Sequence, residues 1–167
     1  MEEGSGQVST KGTPAVRAAE AARIAFRLLE YEYDPAADAI GLHAAAALGI
    51  DPARVYKTLV VALDTGGLVC AVIPVAARLN LKALAAAAGA KKCDLADPAK
   101  AERSSGYVVG GISPLGQRKR LRTFIDASAD RLDEMVVNGG RRGLQIALRP
   151  ADLAALLGAG IGPIAVE

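Results

Sequence analysis

Apolar and polar positions follow two different periods along this chain, and the switches between them mark its elements. Thr13-Pro14 opens a helix, with threonine as N-cap and proline at the first helical position, and the alanine-rich segment Ala15 to Ile24 continues it. Phe26 to Tyr33 alternates, which predicts a strand facing the core through Leu29 and Tyr31 and ended by Asp34-Pro35. Ile40 to Leu48 reads as a second helix, stopped by Gly49, and Asp51-Pro52 begins the next turn. Val55 to Asp64 and Leu68 to Ile73 read as two strands of a hairpin across Asp64-Thr65-Gly66-Gly67, with Pro74 ending the second. Asn80 caps a helix over Leu81 to Ala88 that Gly89 closes; Lys91 to Leu95 is a short strand. Asp97-Pro98 opens a helix ending near Ser105-Gly106. Tyr107-Val108-Val109, Thr123 to Asp126, Met135 to Asn138 and Leu144 to Leu148 read as strands, the last two antiparallel across Gly139-Gly140. Pro150 starts a final helix over Ala151 to Leu157, and Ile161 to Val166 is a weak last strand or tail.

Hairpins interleaved with crossover helices imply an α+β (mixed α/β) fold: a mixed sheet curled into a partly closed barrel, with helices on its outside. A chain of 167 residues is long enough for one core without a metal or disulfide staple. The expected organisation is a flexible tail over residues 1–12 and a single domain over 13–167. The tail lacks a hydrophobic signal core, and no apolar run reaches membrane-spanning length, so the expected location is the cytoplasm with no membrane partner.

The strand over Val55 to Asp64 carries the first chemical signal. Lys57 shares one face with Val55, Leu59, Val61 and Leu63. Burying an unpaired ammonium costs several kcal/mol. Such a lysine must snorkel to the strand end, find an anionic partner, or point into a cleft.

The second signal is Gly110-Gly111-Ile112-Ser113-Pro114-Leu115-Gly116-Gln117. Glycines let another molecule approach the backbone, and proline stiffens the turn. A stiff turn with bare N–H groups can cradle a carbonyl oxygen or a phosphate. It runs into Arg118, Lys119, Arg120 and Arg122, while the net charge is only +2. Local clustering matters more than net charge for phosphate binding, because screening limits reach to about 10 Å. A glycine turn between strands followed by a solvated charge run accounts for the same residues.

Other chemistries find little support. A Ser-His-Asp arrangement would need His43, the single histidine, beside a serine such as Ser113. One histidine and two scattered cysteines make no metal cluster, so neither a metal nor another cofactor is expected. Cys70 lies in an apolar run, where a buried inert thiol is the default. No Walker-type loop or dinucleotide fingerprint is present.

Five motifs in order carry a resemblance: Thr13-Pro14-Ala15-Val16, Tyr31-Glu32-Tyr33-Asp34-Pro35, Val55-Tyr56-Lys57-Thr58-Leu59, Gly106-Tyr107 with Gly110 to Gln117 and its basic tail, and Gly139 to Leu144. Together they resemble the YbaK family, free-standing Cys-tRNA(Pro) deacylases related to the editing domain of bacterial prolyl-tRNA synthetase, over Thr13 to Leu157. The resemblance implies that family's fold and trans-acting hydrolysis of Cys-tRNA(Pro), with Cys-tRNA(Cys) as a further substrate. Other readings are the editing of another small aminoacyl group, as in Ala-tRNA(Pro), and a non-catalytic tRNA- or synthetase-binding module.

The resemblance also implies residue roles. Lys57 is the residue on which activity depends, with Gly110 and Gly111 at the substrate carbonyl. Tyr31, Ile40, Thr58, Ser113, Pro114, Gly116, Asn138 and Gln145 line the substrate pocket. Arg118, Lys119, Arg120, Arg122, Arg141 and Arg142 would meet tRNA. Asn138 stands where many members have serine, Gln145 where many have aspartate, and Ile40 where an aromatic is often found. The implied mechanism needs no enzyme nucleophile: the cysteinyl thiol attacks its own ester carbonyl, expels the tRNA 3′ end and leaves a strained cyclic thioester that water opens. The implied partners are Cys-tRNA(Pro) and, in a ternary complex, prolyl-tRNA synthetase.

Overall fold

The computed structural model describes residues 12–36 and 40–167. All but Gly12 of the expected tail lies outside the described residues. Helix α1 spans Pro14–Ala21, with the Thr13 hydroxyl accepting from the Val16 amide at 3.1 Å. It stops short of the expected Ile24 because Arg23 turns left-handed, with φ of 59°. The other α-helices among the described residues are α2 (Ile40–Leu48), α3 (Leu81–Ala88), α4 (Pro98–Ser105) and α5 (Pro150–Leu157). Asn80 and Asp97 cap α3 and α4 through their side chains, as their positions imply.

Strands β1 (Phe26–Glu30), β7 (Met135–Asn138) and β8 (Leu144–Leu148) form one antiparallel sheet with β8 in the middle. A second sheet runs in the order β5 (Cys93–Leu95), β2 (Tyr56–Leu63), β3 (Leu68–Pro74), β6 (Arg122–Asp126) and β9 (Gly160–Gly162). It is mixed: β2 pairs antiparallel with β3 and β5, whereas β3–β6 and β6–β9 are parallel. Strands β4 (Arg78–Leu79) and β10 (Ala165–Val166) pair beside it. A single parallel bridge, Val55 to Val136, joins the two larger sheets at the start of β2. The result is a curled mixed sheet with helices outside; among the described residues it does not close into a barrel.

Two strand expectations need correction. Strand β1 ends at Glu30, and it packs on both faces: Phe26 and Leu28 against the main core, Leu29 against Val55, Val136 and Ala147. Tyr107-Val108-Val109 is irregular, because its backbone is used locally. The Tyr107 amide donates to Ser105 Oγ, the Val109 amide to Glu102 Oε2, and Val108 O accepts from Gly111. Burial then anchors only Tyr107, whose hydroxyl donates to Leu115 O at 2.6 Å and is pushed up to about 12 by desolvation.

Candidate active site

Strand β2 is paired unevenly, and that opens the site. One edge is zipped to β3 along its length. The other edge is shared: Val55 bridges to β7, and Val61–Leu63 pair with β5, extended by the Ala96 amide donating to Val60 O at 2.9 Å. Between these attachments β7 and β5 diverge, and among the described residues no strand pairs with that edge at Lys57–Leu59. The strand edge from Val55 to Val60, Lys57 and Thr58 included, therefore lines one cavity of about 450 Å³. That volume lies within the range of about 300–1,000 Å³ common for small-molecule sites.

The cavity walls come from every layer of the fold. Tyr31 and Tyr33 follow β1, Ile40 and Leu42 start α2, Pro98 and Ala101 start α4, and Val109, Gly110 and Ile112 lie in the glycine segment. Asn138 and Gln145 face each other across the β7–β8 register and complete the wall with Arg142.

Lys57 is half-buried, and desolvation holds its ammonium below the usual lysine range. Among the described residues no carboxylate pairs with it. Of the three alternatives open to it, the cleft is the one whose wall it forms. Two residues of the same cavity wall, Tyr31 and Thr58, each carry a buried hydroxyl with no hydrogen-bond partner among the described residues. Desolvation raises the Tyr31 phenol, and the Gly143 backbone and the Gln145 side chain approach it without completing a hydrogen bond. Buried polar atoms are normally satisfied, so an unpartnered pair beside a desolvated cation is the mark of a ligand site.

The model of the aminoacyl-tRNA editing domain family matches residues 34–156. The chain belongs to that family. The editing domain is also 36% identical over 145 residues to an Enterococcus faecalis protein, EbsC, named as a candidate Cys-tRNA(Pro)/Cys-tRNA(Cys) deacylase; the match covers 86% of this chain and 87% of EbsC. Among solved structures, hypothetical protein APE2540 superposes with a TM-score of 0.82 at 27% identity, covering 92% of this chain and 99% of that one. A candidate trans-editing enzyme for prolyl tRNA synthetase shares the fold, with a TM-score of 0.79 at 22% identity, covering 92% and 96%. The enzyme is an aminoacyl-tRNA deacylase, which cleaves the ester between an amino acid and the tRNA 3′ end.

Within the editing domain the residues named from sequence separate. Lys57, Gly110, Tyr31, Ile40, Thr58, Asn138, Gln145 and Arg142 converge on the cavity. Gly111, Ser113, Pro114 and Gly116 do not line it. The expected bare amide at Gly111 is corrected: it already donates to Val108 O at 2.8 Å, and a Cβ there would stand 2.9 Å from Arg141 Cα and Arg142 N. Ser113 and Leu115 are fully buried, and Ser113 Oγ accepts from the Leu115 amide. His43 is elsewhere, edge-on to the Tyr31 ring, with Nε2 at 3.3 Å from Glu32 O. Burial pushes the Cys70 thiol up to about 11, so it is no nucleophile.

The basic residues divide too. Arg118, Lys119, Arg120 and Arg122 are exposed but away from the cavity wall; Arg120 donates to Leu156 O, and Arg122 lies over Phe124. Arg141 pairs with Glu30 at 2.7 Å. Tyr33, Leu42 and Leu95 line the cavity without having been candidates. For Tyr33 a signal existed: it stands two residues past Tyr31 in the motif Tyr31-Glu32-Tyr33-Asp34-Pro35.

Proposed function

We propose that this editing domain clears cysteine from mischarged tRNA(Pro), with Cys-tRNA(Cys) as a further substrate. The observation that carries the reading is that Lys57, desolvated and without a carboxylate partner among the described residues, lines one cavity with Tyr31, Thr58 and Gly110. The named activity of EbsC supports cysteine as the aminoacyl group.

The chemistry uses what the cavity holds. A cysteinyl ester brings its own nucleophile, so the protein must fold the substrate into a reactive conformer and stabilise charge. The sulfur bonds to the carbonyl carbon, the carbon–oxygen bond to the ribose breaks, and the thiol proton ends on the departing oxygen. Water then opens the cyclic thioester to free cysteine. Lys57 steadies the leaving oxygen or the adjoining ribose and phosphate. The Gly110 amide faces the developing oxyanion, an interaction worth about 3 kcal/mol in other enzymes. Tyr31 Oη and Thr58 Oγ1 meet the α-amine and the ester oxygens. Proline lacks a thiol and is spared, and the serine hydroxyl is a far weaker nucleophile at neutral pH.

The reading places the enzyme in the cytoplasm. There prolyl-tRNA synthetase, in a ternary complex, selects the tRNA, and the exposed Arg118 to Arg122 segment meets its backbone. The test is deacylation of Cys-, Ala-, Ser- and Pro-tRNA(Pro) and of Cys-tRNA(Cys), with wild type and Lys57→Ala. Release of cysteine, reduced by about a hundredfold or more in Lys57→Ala, is the expected result. Turnover of Ala-tRNA(Pro) with Cys-tRNA(Pro) spared would assign another substrate, and equal rates for the two proteins would remove Lys57 from the mechanism.

A further inference from the structure

The peptide planes around Gly110 are held differently from one another. The plane between Gly110 and Gly111 is fixed at both ends: Gly110 O accepts from Asn138 Nδ2 at 3.1 Å, and the Gly111 N–H donates to Val108 O at 2.8 Å. The plane between Val109 and Gly110 is fixed at its oxygen alone, which accepts from Arg142 Nε at 3.0 Å. Its other end, the Gly110 N–H, has no acceptor among the described residues. The chain has no cis peptide bonds among those residues, so this N–H points opposite to the oxygen that Arg142 holds.

The Arg142 side chain is itself held. Its guanidinium carbon lies 5.2 Å from the Tyr33 ring centre, a cation–π contact. Next to it, Gly111 seats on the Arg141–Arg142 backbone, where no side chain would fit. Asn138 binds the same loop and receives the Gly140 amide at 2.7 Å, so the β7–β8 turn grips Val109–Gly110 from two side chains.

We propose that Arg142 is a positioning residue: by holding the Val109 carbonyl it aims the free Gly110 amide for the deacylation reaction. The role differs from that of a cation attracting RNA, and it needs a donor at one atom of the side chain rather than a charge. The inference rests on the reading of Gly110 as the oxyanion donor.

Two substitutions separate donor from charge. In Arg142→Gln the amide nitrogen is bonded to Cδ, where arginine has Nε, so the donor stays and the charge goes. In Arg142→Lys a methylene takes that place, so the charge stays and the donor moves. Steady-state deacylation of Cys-tRNA(Pro) should show kcat close to wild type for Arg142→Gln and lower by about a hundredfold for Arg142→Lys. Arg142→Met, lacking both, should match the lysine variant in kcat. The opposite order overturns the proposal: kcat retained by lysine, and KM raised with a shallower salt dependence in glutamine, is the signature of a phosphate contact. Equal kcat in the glutamine and lysine variants overturns it as well. A second readout needs no activity: the Gly110 amide resonance should move in Arg142→Lys and stay in Arg142→Gln, and an unmoved resonance in the lysine variant refutes the clamp. A wild type inactive on every aminoacyl-tRNA would refute the functional reading instead, while the amide resonance still decides this one.

Discussion

Gly110 and Gly116 belong to one glycine-rich segment but meet opposite surroundings. Gly110 lines the cavity with its amide free among the described residues. Gly116 has φ of 65°, and a Cβ there would stand 2.4 Å from Pro14 O, against the start of α1. Between them Ser113, Pro114 and Leu115 are buried, and Gln117 ties back to Ser113 O at 2.9 Å and to the Cys70 thiol. The same composition thus serves as a cavity wall at one end and as core packing at the other. A glycine marks a place where something comes close, and the fold decides whether that neighbour is substrate or the protein itself.

The contrast can be broken by substitutions at each end. Gly116→Ala meets backbone rather than a flexible side-chain tip, in a conformation that alanine resists; a loss of about 3 kcal/mol on chemical denaturation is expected. Lys57→Ala, on the cavity side, should leave the denaturation midpoint near wild type while removing turnover. A Gly116→Ala protein as stable as wild type, or an unfolded Lys57→Ala protein, would dissolve the division. Next in size come the orphan hydroxyls. Thr58→Val and Tyr31→Phe each remove a buried, unpartnered group, so stability should hold or rise by up to about 1 kcal/mol while KM for Cys-tRNA(Pro) rises about tenfold. Lost stability in either variant would mean that the hydroxyl serves the fold.

The smallest effect is expected outside the cavity, where Glu134 bonds both Arg27 and Arg54 at 2.7 Å and ties the entry of β2 to β1. The Arg27 hydrogen bond, followed by the charges of both arginines, holds the Glu134 carboxyl below its usual range. A depressed carboxylate contributes stability above its unfolded pKa and loses it as pH falls through the folded one. Glu134→Gln should therefore flatten the acid limb of the stability profile below about pH 4 and leave it unchanged in shape at neutral pH. An unchanged acid limb would show that the pair contributes nothing to folding.

Local signals were legible where local physics decides. Thr13-Pro14, Asn80 and Asp97 each cap the helix that follows, because a side-chain oxygen at that position reaches the first free amides. The Asp64–Gly67 hairpin and the β7–β8 pair fell where turn residues interrupt alternation. Tyr107-Val108-Val109 misled, since two valines after a tyrosine look like a strand until Glu102 and Ser105 are seen to take the backbone.

Alternation along β2 set Lys57 among aliphatic neighbours on one face, and motif resemblance singled it out, both from residues close in the chain. Which of its possible fates the ammonium takes depended on where β5 and β7 attach to the edge of β2, far along the chain. Between those attachments the edge of β2 is left unpaired among the described residues and lines the cavity, which a period-two reading of its faces does not show. The same long-range packing brought Asn138 and Arg142 onto the carbonyls of Gly110 and Val109 and seated Gly116 against the start of α1. Capping and alternation act over a few residues and can be read in order; edge pairing and backbone seating join distant segments, and appear only once the chain has folded.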